Sequence, residues 1–408
     1  MIHYLKVGLR NLWRNKRRSL LTIAAIIVAQ LAIVNFRGYV EYTYWGMREG
    51  IINGETGHIQ IYKKGFNLEG QIDPFSYMIE DIDSVKNEIG DLEHIKAITS
   101  RIELNGIVAK DDKSKIFTGL GVNPEQEKEI STFIDIIDGY NLSDDHPDGA
   151  LIGIGLRKVL DAQVGDYLTL LAPTKYGGLN AIDIKVRGVI QTGTKAVDNM
   201  LIKIPIEQVK LLLGSYDVTK MIILLDDTKN TSIVEKQIQR IIEQKELNLE
   251  IRTWKDLADV YWGVVKIYDN IFFFINIVIV LIVIFSIVNT LTMTVMERVS
   301  EIGTIRAMGM KRLGIMKLFL SEGFLLGIVG SIIGVLIALM VAGIININGI
   351  ETAPPPGQNR GYTNFILITP VTIAFSFCLT TVVALIASIF PAWKAGKMQV
   401  VDALRYNN

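Results

Sequence analysis

The chain has 408 residues, half of them hydrophobic, with 42 basic side chains against 42 acidic ones. With a positive mean hydropathy, that composition excludes an ordinary soluble globule and places the apolar excess in discrete segments. The net charge of zero gives no basic surplus for a nucleic-acid partner, and none is expected.

The first 19 residues carry Lys6, Arg10, Arg14, Lys16, Arg17 and Arg18 and no acid. Ile2, Leu5, Leu9, Leu12 and Trp13 share one helical face while most of the basic residues lie elsewhere, the pattern of a basic amphipathic helix in the membrane interface. Such a helix either transmits motion or anchors passively. Residues 20–36 are uncharged and just long enough to span a bilayer. The basic residues before them imitate a signal peptide, but the residues after, Arg37 to Tyr42, offer no small-x-small cleavage site. A retained anchor is expected.

Residues 37–270 are polar and patterned, and too many for a linker, so they form a folded domain. Periodicity predicts a strand at 58–64, a helix at 81–93 and strands at 95–109 and 115–122, then a strand at 220–225, a helix at 232–245 and a strand at 249–253. These halves, 55–122 and 219–255, read as one split α/β subdomain. The β-rich stretch 123–218 between them, punctuated by Gly165-Asp166, Gly177-Gly178 and Gly193, reads as an inserted second one.

Three further apolar runs follow, at 271–296, 323–345 and 371–390; with interfacial starts the last two occupy 313–345 and 365–390. The fold class expected is therefore an α-helical membrane protein with four transmembrane helices, arranged one plus three, and a large α/β extracytoplasmic domain. Basic residues near the span ends put residues 1–19, 297–312 and the tail 391–408 in the cytoplasm, leaving 37–270 and the loop 346–364 on the far side.

Chemistry is scarce. His3, His58, His94 and His146 lack metal-ligand spacing, no carboxylate pair stands out, and the one cysteine, Cys378, sits in the fourth span, so the exported domain forms no disulfide. Gly188 to Lys195 approaches a phosphate loop, but its lysine comes one position late and no Ser or Thr follows it. The chain is expected to hold no catalytic, cofactor or metal site; ATP and Mg would be bound by a separate protein.

What remains looks mechanical. Residues 297–312 place Glu297, Arg298, Glu301, Arg306, Lys311 and Arg312 between two apolar runs, either as a coupling element for a soluble motor or as an ordinary basic stop-transfer loop. As a coupling element, Ile302 and Ile305 would be partly buried by the motor, beside Gly303, with Glu301 and Arg306 making polar contacts around them. Gly323, Gly327, Gly330 and Gly334 recur at helical spacing, a seam for close approach of another helix. Asn276 and Asn289 are read as hydrogen-bonding within the bundle, and Glu322 as an interfacial anchor or ion-pair partner.

The segments ERVSEIGTIRAMGMKR, SEGFLLGIVGSIIG and FPAWKAGKMQVVDALRY, with TGHIQIYKKG, LIGIGLRKVLDAQVGDYLTLLA and GVIQTGTKAVDN in the exported domain, resemble the FtsX-like permeases of MacB-type and LolCDE-type ABC transporters. The resemblance implies a mechanotransmission permease of the bacterial inner membrane, with a porter-like split subdomain and a sabre-like insertion. It implies pairing with a second permease subunit, itself or a paralogue, and with two copies of a cytoplasmic ABC ATPase docked on a coupling helix at about Glu297 to Met308. Without a fused ATPase, the chain is most similar to stand-alone permeases that release lipoproteins, and a lipoprotein, membrane lipid and a periplasmic carrier or adaptor are the expected further contacts. Export of peptides or small molecules through a tripartite pump, or activation of an extracytoplasmic hydrolase without transport, are the alternatives.

Overall fold

The computed structural model describes residues 8, 10, 11, 14, 16–70, 72–354, 358, 361–400 and 403. Most of the N-terminal amphipathic reading, including Ile2, Leu5, Lys6, Leu9, Leu12 and Trp13, lies outside the described residues, as does most of the tail beyond Val400. The chain divides into two compact units, residues 1–45, 263–351 and 363–408 in one, and residues 46–262 and 352–362 in the other.

The first unit is built on four helices long and apolar enough to cross a membrane. Helix α1 (Lys16–Ile51) precedes the α/β domain in the chain and ends in a π-helical turn, Ile52–Thr56. Helices α7 (Asp259–Glu297), α9 (Arg312–Asn348) and α10 (Pro370–Lys397) follow the domain. Three of the four greatly exceed their apolar stretches, because hydropathy marks the lipid-compatible part of a helix and not its ends. Pro370 at the first turn and Thr369, which accepts from the Thr372 amide at 3.2 Å, start α10. Ile26 and Ile33 of α1, Val283, Ile287 and Leu291 of α7, Leu326 of α9 and Ala384 of α10 form the bundle core.

The second unit is organised by one ten-stranded sheet, ordered β10-β1-β9-β2-β3-β8-β5-β7-β4, with β6 pairing β2 and β7. Its strands are β1 (Ile59–Lys63), β2 (Ile95–Lys110), β3 (Lys113–Val122), β4 (Asp135–Gly139), β5 (Gly149–Gly153), β6 (Tyr167–Pro173), β7 (Leu179–Gln191), β8 (Leu201–Pro205), β9 (Lys220–Leu225) and β10 (Leu249–Thr253). The two sequence halves interleave: β9 lies between β1 and β2, so neither half closes a sheet alone. Helices α2 (Ile82–Ile89) and α6 (Thr231–Gln244), one from each half, bury Val85, Ile89, Val234, Ile238 and Ile242 in one core against Ile61 and Ile223.

The inserted stretch is not detached from this sheet. It continues it through the parallel pair β3 and β8, in register from Thr118 with Leu201 to Val122 with Pro205. Among the shorter helices of the unit are α3 (Pro124–Ile130), capped by Asn123, α4 (Ile154–Leu160) and α5 (Ile206–Leu213). Helix α8 (Val299–Ala307), in the first unit, fills the short gap between α7 and α9.

Candidate functional site

The α7–α9 junction gathers the residues that the sequence singles out. Helix α7 ends at Glu297; Arg298, with φ −109° and ψ 17°, breaks the helix and leads into α8. The turn that closes α8 uses Gly309 at φ +98°, a left-handed conformation that glycine reaches without a side-chain clash.

Arg298 is buried, with its guanidinium 6.0 Å from the centre of the Phe319 ring and its Nε donating to Glu301 Oε2 at 2.8 Å. Glu301 also accepts from Arg14 Nη2 at 2.9 and 3.1 Å, and Arg18 reaches Glu297 at 2.5 Å. Hydrogen bonds from Arg14 and Arg298 hold the Glu301 carboxyl below the usual carboxylate range. Two arginines from the N-terminal segment therefore bracket the α7–α8 corner.

The apolar side of α8 is already occupied. Ile302 is 3% exposed, packed with Val295, Ile315, Phe319, Ala392 and Ala395, and Ile305 is partly buried beside it. Val299 and Gly303 also face inward, and Arg306 donates to the Met398 carbonyl. The expectation that Ile302 offers an apolar surface to a partner is thus corrected: that side chain seats α8 on α7, α9 and α10. Glu301, Thr304, Ala307 and Met308 are exposed, Met308 at 75%, and Glu301, Thr304 and Met308 follow the i, i+3, i+7 spacing of one helix face. Met308 drew no attention in the sequence because a lone methionine carries no chemical signature.

The glycine seam meets two helices, not one. A Cβ on Gly323 would strike Ser388 and one on Gly327 would stand 2.7 Å from Ala384 Cβ, both on α10. A Cβ on Gly330 would stand 2.9 Å from Ile26 Cβ and one on Gly334 2.7 Å from Gln30 Cβ, both on α1. Fully buried Gln30 donates to Thr380 Oγ1 at 2.7 Å and to the Ser376 carbonyl at 3.1 Å, and Ser331 shares a 2.7 Å bond with Thr380, tying α1, α9 and α10 together. Asn276, read as interhelical, donates instead to Phe272 of its own helix, and Asn289 is exposed with no hydrogen bond among the described residues. Glu322 is buried and makes no ion pair within 4 Å among the described residues.

In the α/β domain the titratable residues serve the fold. His58 Nδ1 accepts from the Leu225 amide at 3.0 Å and Nε2 meets Thr228 Oγ1 at 3.1 Å; burial, then Arg48, pushes its pKa down to about 4. Glu127 is enclosed by Arg101 (2.7 Å) and Lys203 (2.8 Å), whose charges outweigh the upward effect of burial and lower its carboxyl to about 2. In the phosphate-loop lookalike, the amide and hydroxyl of Thr192 both donate to Asp198 Oδ1, at 2.7 and 2.8 Å, so a carboxylate takes the place a phosphate would need. Among the described residues no three His, Cys, Asp or Glu side chains could hold a metal ion.

Residues 273–400 match the FtsX-like permease C-terminal model and residues 19–241 the MacB-like periplasmic core domain model. The chain is similar to the lipoprotein-releasing system transmembrane protein LolC of Neisseria meningitidis, 25% identical over 70% of this chain and 72% of that protein. It is similar to LolE of Haemophilus influenzae, 23% identical over 76% and 77%. The periplasmic region of MacB from Actinobacillus actinomycetemcomitans superposes with a TM-score of 0.39 at 15% identity, covering 52% of this chain and 94% of that one. The chain belongs to the FtsX-like permeases with a MacB-like periplasmic core domain, the permeases of ABC transporters of the LolCDE and MacB type.

Proposed function

We propose that this permease transmits ATP hydrolysis by a separate cytoplasmic ATPase to its extracytoplasmic α/β domain, and that the work done is release of lipoproteins from the inner membrane. The observation that carries the mechanical part is the α7–α9 junction. Helix α8 is fixed from within by Ile302 and Val299 and from outside by Arg14, while Arg18 holds the end of α7 beside it, yet Thr304, Ala307 and Met308 stay uncovered. A lever needs both a rigid seat and a free face, and exposed apolar groups beside a membrane favour a protein partner.

The basic residues at this junction and in the N-terminal segment favour a cytoplasmic location for both, with residues 37–270 outside. In this reading two permease subunits pair above two ATPase subunits, which bind ATP and Mg. Similarity to LolC and LolE supports lipoproteins as the cargo. The test is reconstitution: the permease, its ATPase and a lipoprotein bearing a labelled acyl chain in proteoliposomes. ATP-dependent transfer of the label to a soluble acceptor is the expected result. ATP hydrolysis that is stimulated by the permease without any such transfer would leave the coupling reading intact and remove lipoproteins as cargo.

A further inference from the structure

Glu322 of α9 is 3% exposed, and its Oε2 is buried with no hydrogen-bond partner among the described residues. The charges that reach this carboxyl are those of Arg298 first and Arg14 second. Arg298 is incomplete in the complementary way: its Nε is used on Glu301 at 2.8 Å, while its Nη1 is buried with no acceptor among the described residues. A buried carboxylate oxygen without a donor and a buried guanidinium nitrogen without an acceptor each leave a desolvation cost uncompensated. The two groups stand on one side of the junction. The Arg298 guanidinium lies over the Phe319 ring, and Glu322 follows Phe319 on the same face of α9 by three residues, roughly 4.5 Å along the axis.

The pairing that the structure shows can be exchanged at little loss. Glu301 does not depend on Arg298, because it also accepts from Arg14 Nη2 at 2.9 and 3.1 Å. Departure of Arg298 therefore leaves Glu301 with a counter-charge and gives Glu322 the one it lacks. Arg298 is also the residue at which the chain bends, since its φ of −109° and ψ of 17° interrupt the helix between α7 and α8. A tilt of α8 pivots on the residue whose side chain changes partner.

We propose that Arg298 is a two-position latch, held by Glu301 in the position of α8 that the structure shows and by Glu322 in a second position, reached when α8 tilts about this bend. Glu322 is then a positioning residue: it touches neither ATPase nor cargo and acts by fixing where α8 comes to rest. Exchange of one ion pair for another makes the junction bistable, so a push on α8 is passed on as a discrete step instead of being absorbed by gradual bending. This inference rests on the reading of α8 as the element that receives force and deepens it by naming the second position and the residue that defines it.

The test runs first on the permease alone, so its failure is separable from failure of the coupling reading. In full-length protein carrying Cys378→Ser, spin labels on Thr304→Cys of α8 and Lys394→Cys of α10, both exposed positions, report the distance between the two helices by pulsed electron paramagnetic resonance. Glu301→Gln weakens the first position and is expected to raise the ratio of a second distance to the first roughly tenfold, the worth of one charge-assisted hydrogen bond. Adding Glu322→Gln to it should abolish the second distance, whereas adding Glu322→Asp, which keeps the charge, should retain most of it. Glu322→Gln alone removes a buried charge that has no partner in the first position, so its melting temperature should equal or exceed that of the unaltered protein. A single distance in Glu301→Gln, a second distance that survives Glu322→Gln, or a lowered melting temperature in Glu322→Gln would each overturn the proposal. With the ATPase added, ATP should populate the second distance in the unaltered permease; a second distance present in Glu301→Gln alone but never populated by ATP would keep the latch and remove the coupling reading.

Discussion

Gly334 of α9 and Gln30 of α1 touch backbone to side chain: a Cβ on the glycine would lie 2.7 Å from Gln30 Cβ and 3.2 Å from Ile27 Cα. The contact lets the Gln30 amide reach Thr380 on the third helix of the cluster. Replacing Gly334 by Leu must therefore push α1 away and strand a buried carboxamide. A destabilisation of about 1–3 kcal/mol from overpacking is expected, and more if the Gln30 bonds are lost. Thermal melting of the detergent-solubilised protein measures it, with Ile333→Leu on the exposed neighbouring position as a neutral comparison. Equal melting of Gly334→Leu and the unaltered chain would show that the helices do not pack here.

Among the described residues Glu127 is the acid that pairs with both Arg101 and Lys203, all three nearly buried. Glu127→Gln leaves two cations without a counter-charge and should destabilise the α/β domain by about 3–5 kcal/mol. The carboxyl lies below its ordinary value of 4.5, at about 2, so its contribution is fully present above pH 4.5 and is lost as pH falls toward 2. Glu127→Gln should remove that acid-dependent slope, measured by denaturant unfolding at stepped pH. A slope that persists in the variant would assign it elsewhere.

His58 predicts a separate window. Its folded-state pKa of about 4 lies below the ordinary 6.5, so the unfolded chain binds the extra proton first and stability falls as pH drops from 6.5 to 4. The contribution is at most about 3 kcal/mol. Because the Trp254 amide donates to the His58 carbonyl at 2.9 Å, tryptophan fluorescence is a natural probe of unfolding at this site. In His58→Gln the slope between pH 6.5 and 4 should flatten while that below 4.5 remains; an unchanged upper slope would mean that another group titrates there.

The apolar stretches were legible because some twenty uncharged residues have one common use, but their helices were not. Arg37 pairs with Glu41 and Asp269, and these charged ends of α1 and α7 stay helical by such contacts, which hydropathy does not register. Strands β1, β2, β3, β9 and β10 could be read from alternation, whereas β5 and β8 could not. Ala150 to Ile152 and Leu201 to Ile204 are wholly or largely apolar short runs, and a fully buried strand has no period to find. The inward turn of Ile302 was hidden for a different reason. Its partners Ile315, Phe319 and Ala392 come from two later helices, and a nine-residue segment whose apolar residues are spread round the helix gives no sign of which face they will claim.

That inward turn decides how the ATPase contact is best tested. Ile302→Asp places an unpaired carboxylate among Val295, Ile315 and Phe319, a substitution expected to unseat α8 itself, so loss of the ATPase in that variant would say little about the surface that binds it. Met308, 75% exposed, has no such internal duty. Met308→Asp should leave melting within about 0.5 kcal/mol of the unaltered protein, as surface changes do, yet weaken ATPase binding roughly tenfold or more if the side chain sits at the centre of the contact. Thr304→Asp, on the same exposed face, should weaken it as well, while reversing Arg14 and Glu301 together should restore most of what either single reversal loses. Affinity measured with the purified ATPase, alongside melting of the permease alone, separates the two effects. If Met308→Asp and Thr304→Asp both bind the ATPase normally while remaining folded, the free face of α8 is not its docking site.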